Sequence, residues 1–167
     1  VILNGIECEP FITADYRILI EHADEVIRGL KYFLKASLAN KGIIAIEDNK
    51  PRAIELFNQL TADDPNISVV VCPEKYPQGS ERHLIYAVTG RVVPERALPS
   101  AVGVIVDNVA TAMQAALAVK DDLPCYERIV TVSGNAVHKP GNYRVRIGTL
   151  YSHLVEQGAV SYTHLRA

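Results

Sequence analysis

The chain has 167 residues, of which 49% are hydrophobic and 22% charged, and its formal net charge is −2 at neutral pH. This balance is typical of a folded globular protein of one domain or little more, and it excludes a strongly basic surface for nucleic acid. The three cysteines Cys8, Cys72 and Cys125 lie far apart, and the five histidines show no ligand spacing, so the sequence predicts no metal site.

Most of the chain alternates between apolar strands and amphipathic helices. The predicted strands are short apolar blocks, at residues 1–3, 42–48, 67–72 and 102–107. The predicted helices follow them, over residues 23–39, 51–60, 81–88 and 108–119. Asn49 is the expected N-cap of the second helix. Because solid apolar strands that alternate with helices form parallel sheets covered on both faces, the sequence predicts an α/β fold with a four-stranded parallel sheet.

The pattern changes after residue 124. RIVTVS, at residues 128–133, alternates between apolar and polar residues as a half-buried strand does, and GNAVHKPGNYRVRIG reads as a turn and a second strand. A helix is expected over 149–157, with Leu150 and Leu154 facing inward. The sequence therefore predicts a small β-rich module after the α/β domain.

Ligands of parallel α/β sheets bind outside the carboxyl ends of the strands, where polar segments of this chain follow three of the predicted strands. In the first segment, Asn4, Glu7 and Glu9 could accept hydrogen bonds from the N–H and hydroxyl groups of a ligand. A solvated turn after the strand is the competing interpretation.

The other two segments lie at predicted helix starts. In KYPQGSER, Tyr76 could stack on an aromatic ligand, Gly79 allows close backbone approach, and a cap at Ser80 would leave an anion site. In DNVAT, Asn108 and Thr111 lie where helix N–H groups point at a phosphate. Ordinary helix starts with simple capping remain the alternatives for both segments.

Four segments in order carry a family resemblance: NGIECEPFITADYR, IAIEDNKPRAIEL, KYPQGSERHLIYAVTGR and VGVIVDNVATA. They resemble the C subunit of the Rnf electron-transport complex, from residue 1 to about residue 159. That family is similar to the flavoprotein subunit of respiratory complex I, which binds FMN and NADH in a Rossmann-like domain. The resemblance implies such a domain over residues 1–124.

The resemblance also implies roles for individual residues. The residues that match the family's flavin and nucleotide segments are Asn4, Glu7, Glu9, Tyr76, Gly79, Glu81, Asn108 and Thr111. By this resemblance Glu7 lies near the reactive flavin edge as the catalytic residue, while Glu9 and Glu81 hold the nicotinamide nucleotide. Ile6 stands where the related flavoproteins have Asp, so the resemblance leaves one polar flavin contact without a match in this chain.

The implied function is a subunit of an ion-translocating ferredoxin:NAD oxidoreductase complex. Its cofactors would be FMN, NAD(H) and, outside this chain, 4Fe–4S clusters; its partners would be the other Rnf subunits at the cytoplasmic face of the bacterial inner membrane. The alternative is a scaffold subunit with a vestigial flavin site, similar to the A subunit of the sodium-pumping NADH:quinone reductase. Ile6 and Asp107 favour that alternative.

The end of the chain carries a second resemblance. VTVSGNAVHKPGNYRVRIGT is similar to the opening of an SLBB domain, a small β-grasp module, which is expected to begin at residues 125–159 and to be truncated. VSYTHL in residues 160–167 resembles a translated sequencing adapter and is expected to be non-native. The family's glycine-rich flavin loop is expected upstream, so the fragment alone is expected to be inactive.

Overall fold

The computed structural model describes residues 1–158 and divides into two compact units. The first unit comprises Val1–Glu9 and Asp15–Pro124, and the second comprises Pro10–Ala14 and the described residues from Cys125 onward. The expected non-native tail at 160–167 lies outside the described residues. Within residues 1–158, no helix has the length and apolar character needed to cross a membrane.

The first unit is built on a parallel sheet of four strands. These strands are β1 (Ile2–Gly5), β2 (Gly42–Glu47), β3 (Ile67–Cys72) and β4 (Val106–Asn108). Their order in the sheet is β3-β2-β1-β4, and all three neighbouring pairs run parallel. The predicted α/β fold with a four-stranded parallel sheet is therefore confirmed.

Five helices connect or follow these strands. They are α1 (Ala14–Glu21), α2 (Ala23–Ser37), α3 (Pro51–Thr61), α4 (Glu81–Thr89) and α5 (Val109–Asp121). The strand-to-strand connections place α1 and α2 after β1, α3 after β2, and α4 after β3. Four of these helices match the predicted ones, and α1 was not predicted.

Helices cover both faces of the sheet. On one face α2 and α5 approach so closely that a Cβ added to Gly29 would lie 1.9 Å from the carbonyl oxygen of Ala112. On the other face, Leu84 and Ile85 of α4 pack in a buried cluster with Ile2 and Ile6. Since successive residues of a strand point to opposite faces, Ile2, Asn4 and Ile6 face α4, while Gly5 faces Leu19 and Val109.

Several predicted boundaries were wrong. Lys50 occupies the N-cap position of α3, and no side chain caps that helix, so Asn49 is not its N-cap. Leu38 is not part of α2 but ends it with a positive φ of 55°. The fourth strand is shorter than 102–107, because Pro99–Val102 forms a 3-10 helix that ends at Gly103 with a φ of 70°.

The second unit contains an antiparallel pair of strands and one helix. These elements are β5 (Glu127–Val132), β6 (Gly141–Arg146) and α6 (Tyr151–Gln157). Thr13 joins the unit, because its N–H donates to Thr131 Oγ1 at 3.1 Å and its hydroxyl lies 3.3 Å from Asn142 Oδ1. The predicted strands are present. The inward orientation expected for Leu150 was wrong: it precedes α6 and is 71% exposed.

Candidate functional site

A cleft of about 300 Å³ lies at the carboxyl edge of the sheet in the first unit. Its walls come from the segment after β1, the loop between β3 and α4, and the end of β4. The residues that line it are Asn4, Ile6, Cys8, Glu9, Asp15, Tyr76, Pro77, Gly79, Ser80 and Asn108. From β1 the chain continues to β2 on one side, whereas β4 lies on the other side, so this is the switch point at which α/β sheets bind ligands.

Asn4 fixes the wall between β1 and the loop before α4. Its amide Nδ2 donates to the carbonyl oxygen of Gly79 at 2.9 Å, and its Oδ1 accepts from the N–H of Ile6 at 3.1 Å. A Cβ added to Gly79 would lie 3.1 Å from the carbonyl oxygen of Ile6 and 3.3 Å from Cys8 Sγ. Asn4 and Gly79 therefore shape the cleft by bringing two backbones together.

Glu7 is buried and does not line the cleft. Its Oε1 accepts from the N–H of Asp15 at 2.7 Å and its Oε2 accepts from the N–H of Tyr16 at 3.1 Å, so the carboxylate caps the first turn of α1. Burial raises the pKa of Glu7, and the two N–H bonds partly oppose that rise. The geometry makes Glu7 a support of the helix beside the cleft, and its catalytic role stays a prediction.

Glu9 and Cys8 line the cleft at the exit of β1. Glu9 is exposed, and the Cys8 thiol lies 3.9 Å from Glu9 Oε2. An exposed carboxylate at this position can accept hydrogen bonds from N–H or hydroxyl groups of a ligand. Cys8 was not predicted as a site residue, although its position between two predicted ones was a signal for it.

The loop before α4 contributes an aromatic ring and a helix start. Tyr76 is 75% exposed and lies in the cleft wall together with Gly79 and Ser80. Ser80 is the N-cap of α4, but its side chain makes no capping hydrogen bond, so the first turn remains open to a ligand. Glu81 is the first residue of α4, is exposed, and does not line the cleft.

The third wall of the cleft begins at Asn108. Its Oδ1 accepts from the N–H of Ala110 at 2.8 Å, which caps α5, and its Nδ2 donates to Asp15 Oδ2 at 2.6 Å. Thr111 is half-buried on α5 and does not line the cleft. Asn108 is therefore engaged in the wall, beside a carboxylate that would disfavour a phosphate at this end.

Five of the eight predicted site residues lie together in the cleft: Asn4, Glu9, Tyr76, Gly79 and Asn108. Asp15 is a cleft residue that was not predicted. A local signal for the helix that carries Asp15 was available in the sequence. Thr13 and Asp15 directly precede the apolar residues at positions 16, 18 and 19, and Thr or Asp before such a pattern marks a helix start.

Comparisons with known protein families match both units of the chain. A family model described as the Nuo51 FMN-binding domain matches residues 1–117, and a model described as the SLBB domain matches residues 129–159. The SLBB match agrees with the β-rich module expected after residue 124.

Curated relatives resemble nearly the whole chain. The C subunit of the proton-translocating ferredoxin:NAD(+) oxidoreductase complex of Clostridium ljungdahlii is 43% identical, and the match covers 93% of this chain and 34% of that protein. The C subunit of the Na(+)-translocating complex of Acetobacterium woodii is also 43% identical, with coverage of 94% and 35%. The chain thus spans about a third of the length of these relatives.

A solved structure has the same fold. The chain resembles the NAD+-reducing nickel–iron hydrogenase in its H2-reduced state with a TM-score of 0.72 at 22% identity, over 92% of this chain and 32% of that chain. At this identity the likeness shows the fold alone.

Proposed function

Because the chain belongs to the family of the Nuo51 FMN-binding domain, we propose that it is the flavin-binding part of the C subunit of an ion-translocating ferredoxin:NAD oxidoreductase. The predicted resemblance to the C subunit of Rnf complexes is confirmed by the relatives. In this proposal the whole protein passes electrons between NADH, FMN and iron–sulfur clusters. Other parts of that protein hold those clusters, since Cys8, Cys72 and Cys125 are dispersed.

The position and chemistry of the cleft carry the proposal. The Tyr76 ring offers a stacking surface, the uncapped first turn of α4 offers N–H groups to an anion, and Glu9 offers an acceptor. This donor set, at a switch point of a parallel sheet, fits an aromatic ring system that carries a phosphate. The residues present therefore fit FMN.

Three residues of the cleft and three beside it have a proposed part in the mechanism. FMN, when bound, would supply the conversion between a hydride donor and one-electron acceptors. Tyr76 would bind the ring, Gly79 would let the ligand approach the backbone, and Glu9 would orient the nicotinamide nucleotide. Glu7 would act through α1, by holding Asp15 in place. Glu81 would contact the nicotinamide nucleotide and Thr111 the flavin cofactor in the proposed complex, although neither lines the cleft.

The proposed partners are NADH or NAD and the other subunits of the complex. Because the relatives belong to ion-translocating complexes, we propose a peripheral position at the cytoplasmic face of the membrane. The chain alone should bind FMN poorly, because the glycine-rich flavin loop is expected upstream, and it should not relay electrons, since its cysteines do not form a cluster-binding motif.

Flavin binding by the full-length protein that contains this chain is the decisive experiment. We expect FMN fluorescence to be quenched on titration with the protein, and we expect Tyr76→Ala to weaken binding about threefold to tenfold through lost stacking. Tyr86→Ala is the matched control, because Tyr86 is 60% exposed on α4 and does not line the cleft. Equal effects of both substitutions would contradict this placement.

A complete absence of FMN binding would instead favour the scaffold function. The hydrogen bond between Asn108 and Asp15 is the observation that favours a scaffold. It occupies the Asn108 amide, which was predicted to contact the flavin, and it holds the Asp15 carboxylate in the cleft. If FMN binds, bleaching of its visible absorbance by NADH tests the nucleotide part of the proposal, and an unbleached flavin would contradict it.

A further inference from the structure

Glu47 is a buried carboxyl group for which the proposed function has no use. It is the last residue of β2 and is 1% exposed, and within residues 1–158 neither of its oxygens accepts a hydrogen bond of normal geometry, although the N–H of Glu7 lies near its carboxyl group. Burial of an ionised carboxylate without hydrogen bonds is strongly unfavourable, so such a group binds a proton instead.

The register of the sheet sets Glu47 beside the cleft. Strands β1 and β2 pair as far as Gly5 and Ile46, so the next residues along the two strands are Ile6, which lines the cleft, and Glu47. On its other side Glu47 pairs with the buried Cys72 of β3. An ionised Glu47 would therefore place a negative charge between Ile6 and Cys72, next to the wall of the cleft.

Two buried carboxyl groups share one nearby cation. Lys50 favours the ionised form of both Glu7 and Glu47, and its Nζ also lies 5.2 Å from the centre of the Tyr16 ring. The Glu7 carboxylate has two backbone N–H bonds that favour its charged form, whereas Glu47 has none of normal geometry. The proton is therefore best held by Glu47.

The charged and titratable groups around Glu47 agree with this assignment. Burial is the largest cause that raises the pKa of Glu47; Lys50 and the nearby N–H of Glu7 oppose it, and the carboxylates of Glu74 and Asp48 add to it. Burial is the largest cause that raises the pKa of the Cys72 thiol, so Cys72 stays neutral beside Glu47 and adds no charge to this layer.

We propose that Glu47 is held as a neutral carboxylic acid, and that its ionisation at higher pH weakens the binding of an anionic flavin nucleotide in the cleft. Glu47 is thus a positioning residue that acts through its charge and not by contact. This proposal rests on the proposed function for its ligand, but the protonation of Glu47 does not depend on that ligand.

The first experiment compares FMN affinity over a range of pH in the full-length wild-type protein and in its Glu47→Gln variant. The amide is a neutral mimic of the acid, so both proteins should bind FMN equally at mildly acidic pH. At alkaline pH the wild-type protein should bind about fivefold more weakly than the variant, as expected for one partly screened buried charge. Titration of the FMN phosphate affects both proteins and cancels in the ratio.

Glu55→Gln is the control, because Glu55 is an exposed carboxylate on α3 whose removal should leave the pH profile of the wild-type protein unchanged. A ratio of wild-type to Glu47→Gln affinities that stays constant across pH would overturn the proposal. So would an equal change of the profile in Glu55→Gln.

The second experiment needs no ligand. At neutral pH the infrared spectrum of the wild-type chain should contain a protonated carboxyl band that disappears in Glu47→Gln and changes frequency in Glu47→Asp. Absence of that band in the wild-type chain would overturn the proposal even if FMN binds well. Presence of the band in a chain that never binds FMN would contradict the proposed function and leave the protonated state of Glu47 supported.

Unfolding in urea gives a third readout and keeps the assignment testable if Glu47→Gln is less stable overall. Because the folded state raises the pKa of Glu47, its contribution to stability is present at low pH and is lost as pH rises through the folded-state pKa. The free energy of unfolding should therefore fall more steeply with rising pH in the wild-type chain than in Glu47→Gln. Parallel pH curves would contradict the assignment.

Discussion

The carboxylate of Glu7 caps a helix that begins further along the chain. No local sequence signal announces this arrangement, because a capping residue is ordinarily sought directly before the first turn. In this chain the N–H groups of Asp15 and Tyr16 obtain their acceptor from the end of a neighbouring strand.

We expect Glu7→Ala to lower the free energy of unfolding by about 1–3 kcal/mol, because two N–H groups lose their charged acceptor. Chemical denaturation followed by circular dichroism measures this loss. Glu9→Ala is the control, since Glu9 is exposed and its removal should change stability by less than about 0.5 kcal/mol. Equal stabilities of the two variants would show that Glu7 does not support α1.

The rule that ligands bind at the carboxyl ends of parallel strands predicted part of the cleft from the sequence. It wrongly placed Glu7 in the cleft, for a physical reason. Asn4 and Ile6 point to the α4 side of β1, so their neighbour Glu7 must point to the opposite side. The alternation of side chains along a strand would have separated Glu7 from Asn4. The burial of Glu47 was not predictable in the same way, because it depends on contacts between segments distant in the sequence, such as the pairing of Glu47 with Cys72 on β3.

Helices α2 and α5 pack with their backbones close together at Gly29. The apolar spacing of α2 predicted which face is buried, but nothing in it predicted that the carbonyl group of Ala112 would occupy the space beside Gly29. Such a contact is set by the partner helix, which is distant in the sequence.

Gly29→Ala tests this contact because two effects oppose each other. Alanine in a helix interior gains about 1 kcal/mol over glycine in helix propensity. The added Cβ would lie 1.9 Å from the Ala112 oxygen, so the helices must separate, which costs about 1–3 kcal/mol and often more when backbone is displaced. We expect a net loss of stability in thermal unfolding.

Gly141→Ala is the matched control for this prediction, because a Cβ at Gly141 meets nothing within 4 Å. Its thermal midpoint should stay close to that of the wild-type chain. If Gly29→Ala proves more stable than the wild-type chain, the close approach of α2 and α5 is incorrect.

The fold class was predictable because the apolar patterns of strands and helices extend over whole segments of the sequence. Solid apolar blocks identified β2 and β3, whereas the start of the fourth block was assigned wrongly, since Pro99 and Gly103 impose a 3-10 turn that hydrophobicity alone does not report. Helix α1 was missed although Thr13 and Asp15 marked its start locally; only its support by Glu7 is non-local.

At the scale of the whole molecule, we expect a substitution in the second unit to change hydrogen exchange in that unit and not in the first. Asn142 is a half-buried residue of β6 in the second unit; its amide donates to Thr13 Oγ1 at 2.9 Å and its Oδ1 accepts from Thr131 Oγ1 at 2.7 Å. We expect Asn142→Ala to speed hydrogen exchange about tenfold at the amides of Thr13 and of strands β5 and β6.

Exchange in the four-stranded parallel sheet should be unchanged in that variant. Asn135→Ala, a substitution at an exposed turn residue of the same unit, is the control and should leave exchange at Thr13 as it is in the wild-type chain. Unaltered exchange at Thr13 in Asn142→Ala would mean that these hydrogen bonds do not hold the segment.

The segment Pro10–Ala14 has a consequence for how such proteins can be rebuilt by recombination. This short piece of the second unit is encoded between β1 and α1. No single crossover point therefore separates the coding sequence of one unit from that of the other. A chimaera joined at Pro124 would exchange most of one unit while inheriting Thr13 from the other parent. Successful exchanges should therefore transfer both stretches together or keep Thr13 and Asn142 matched.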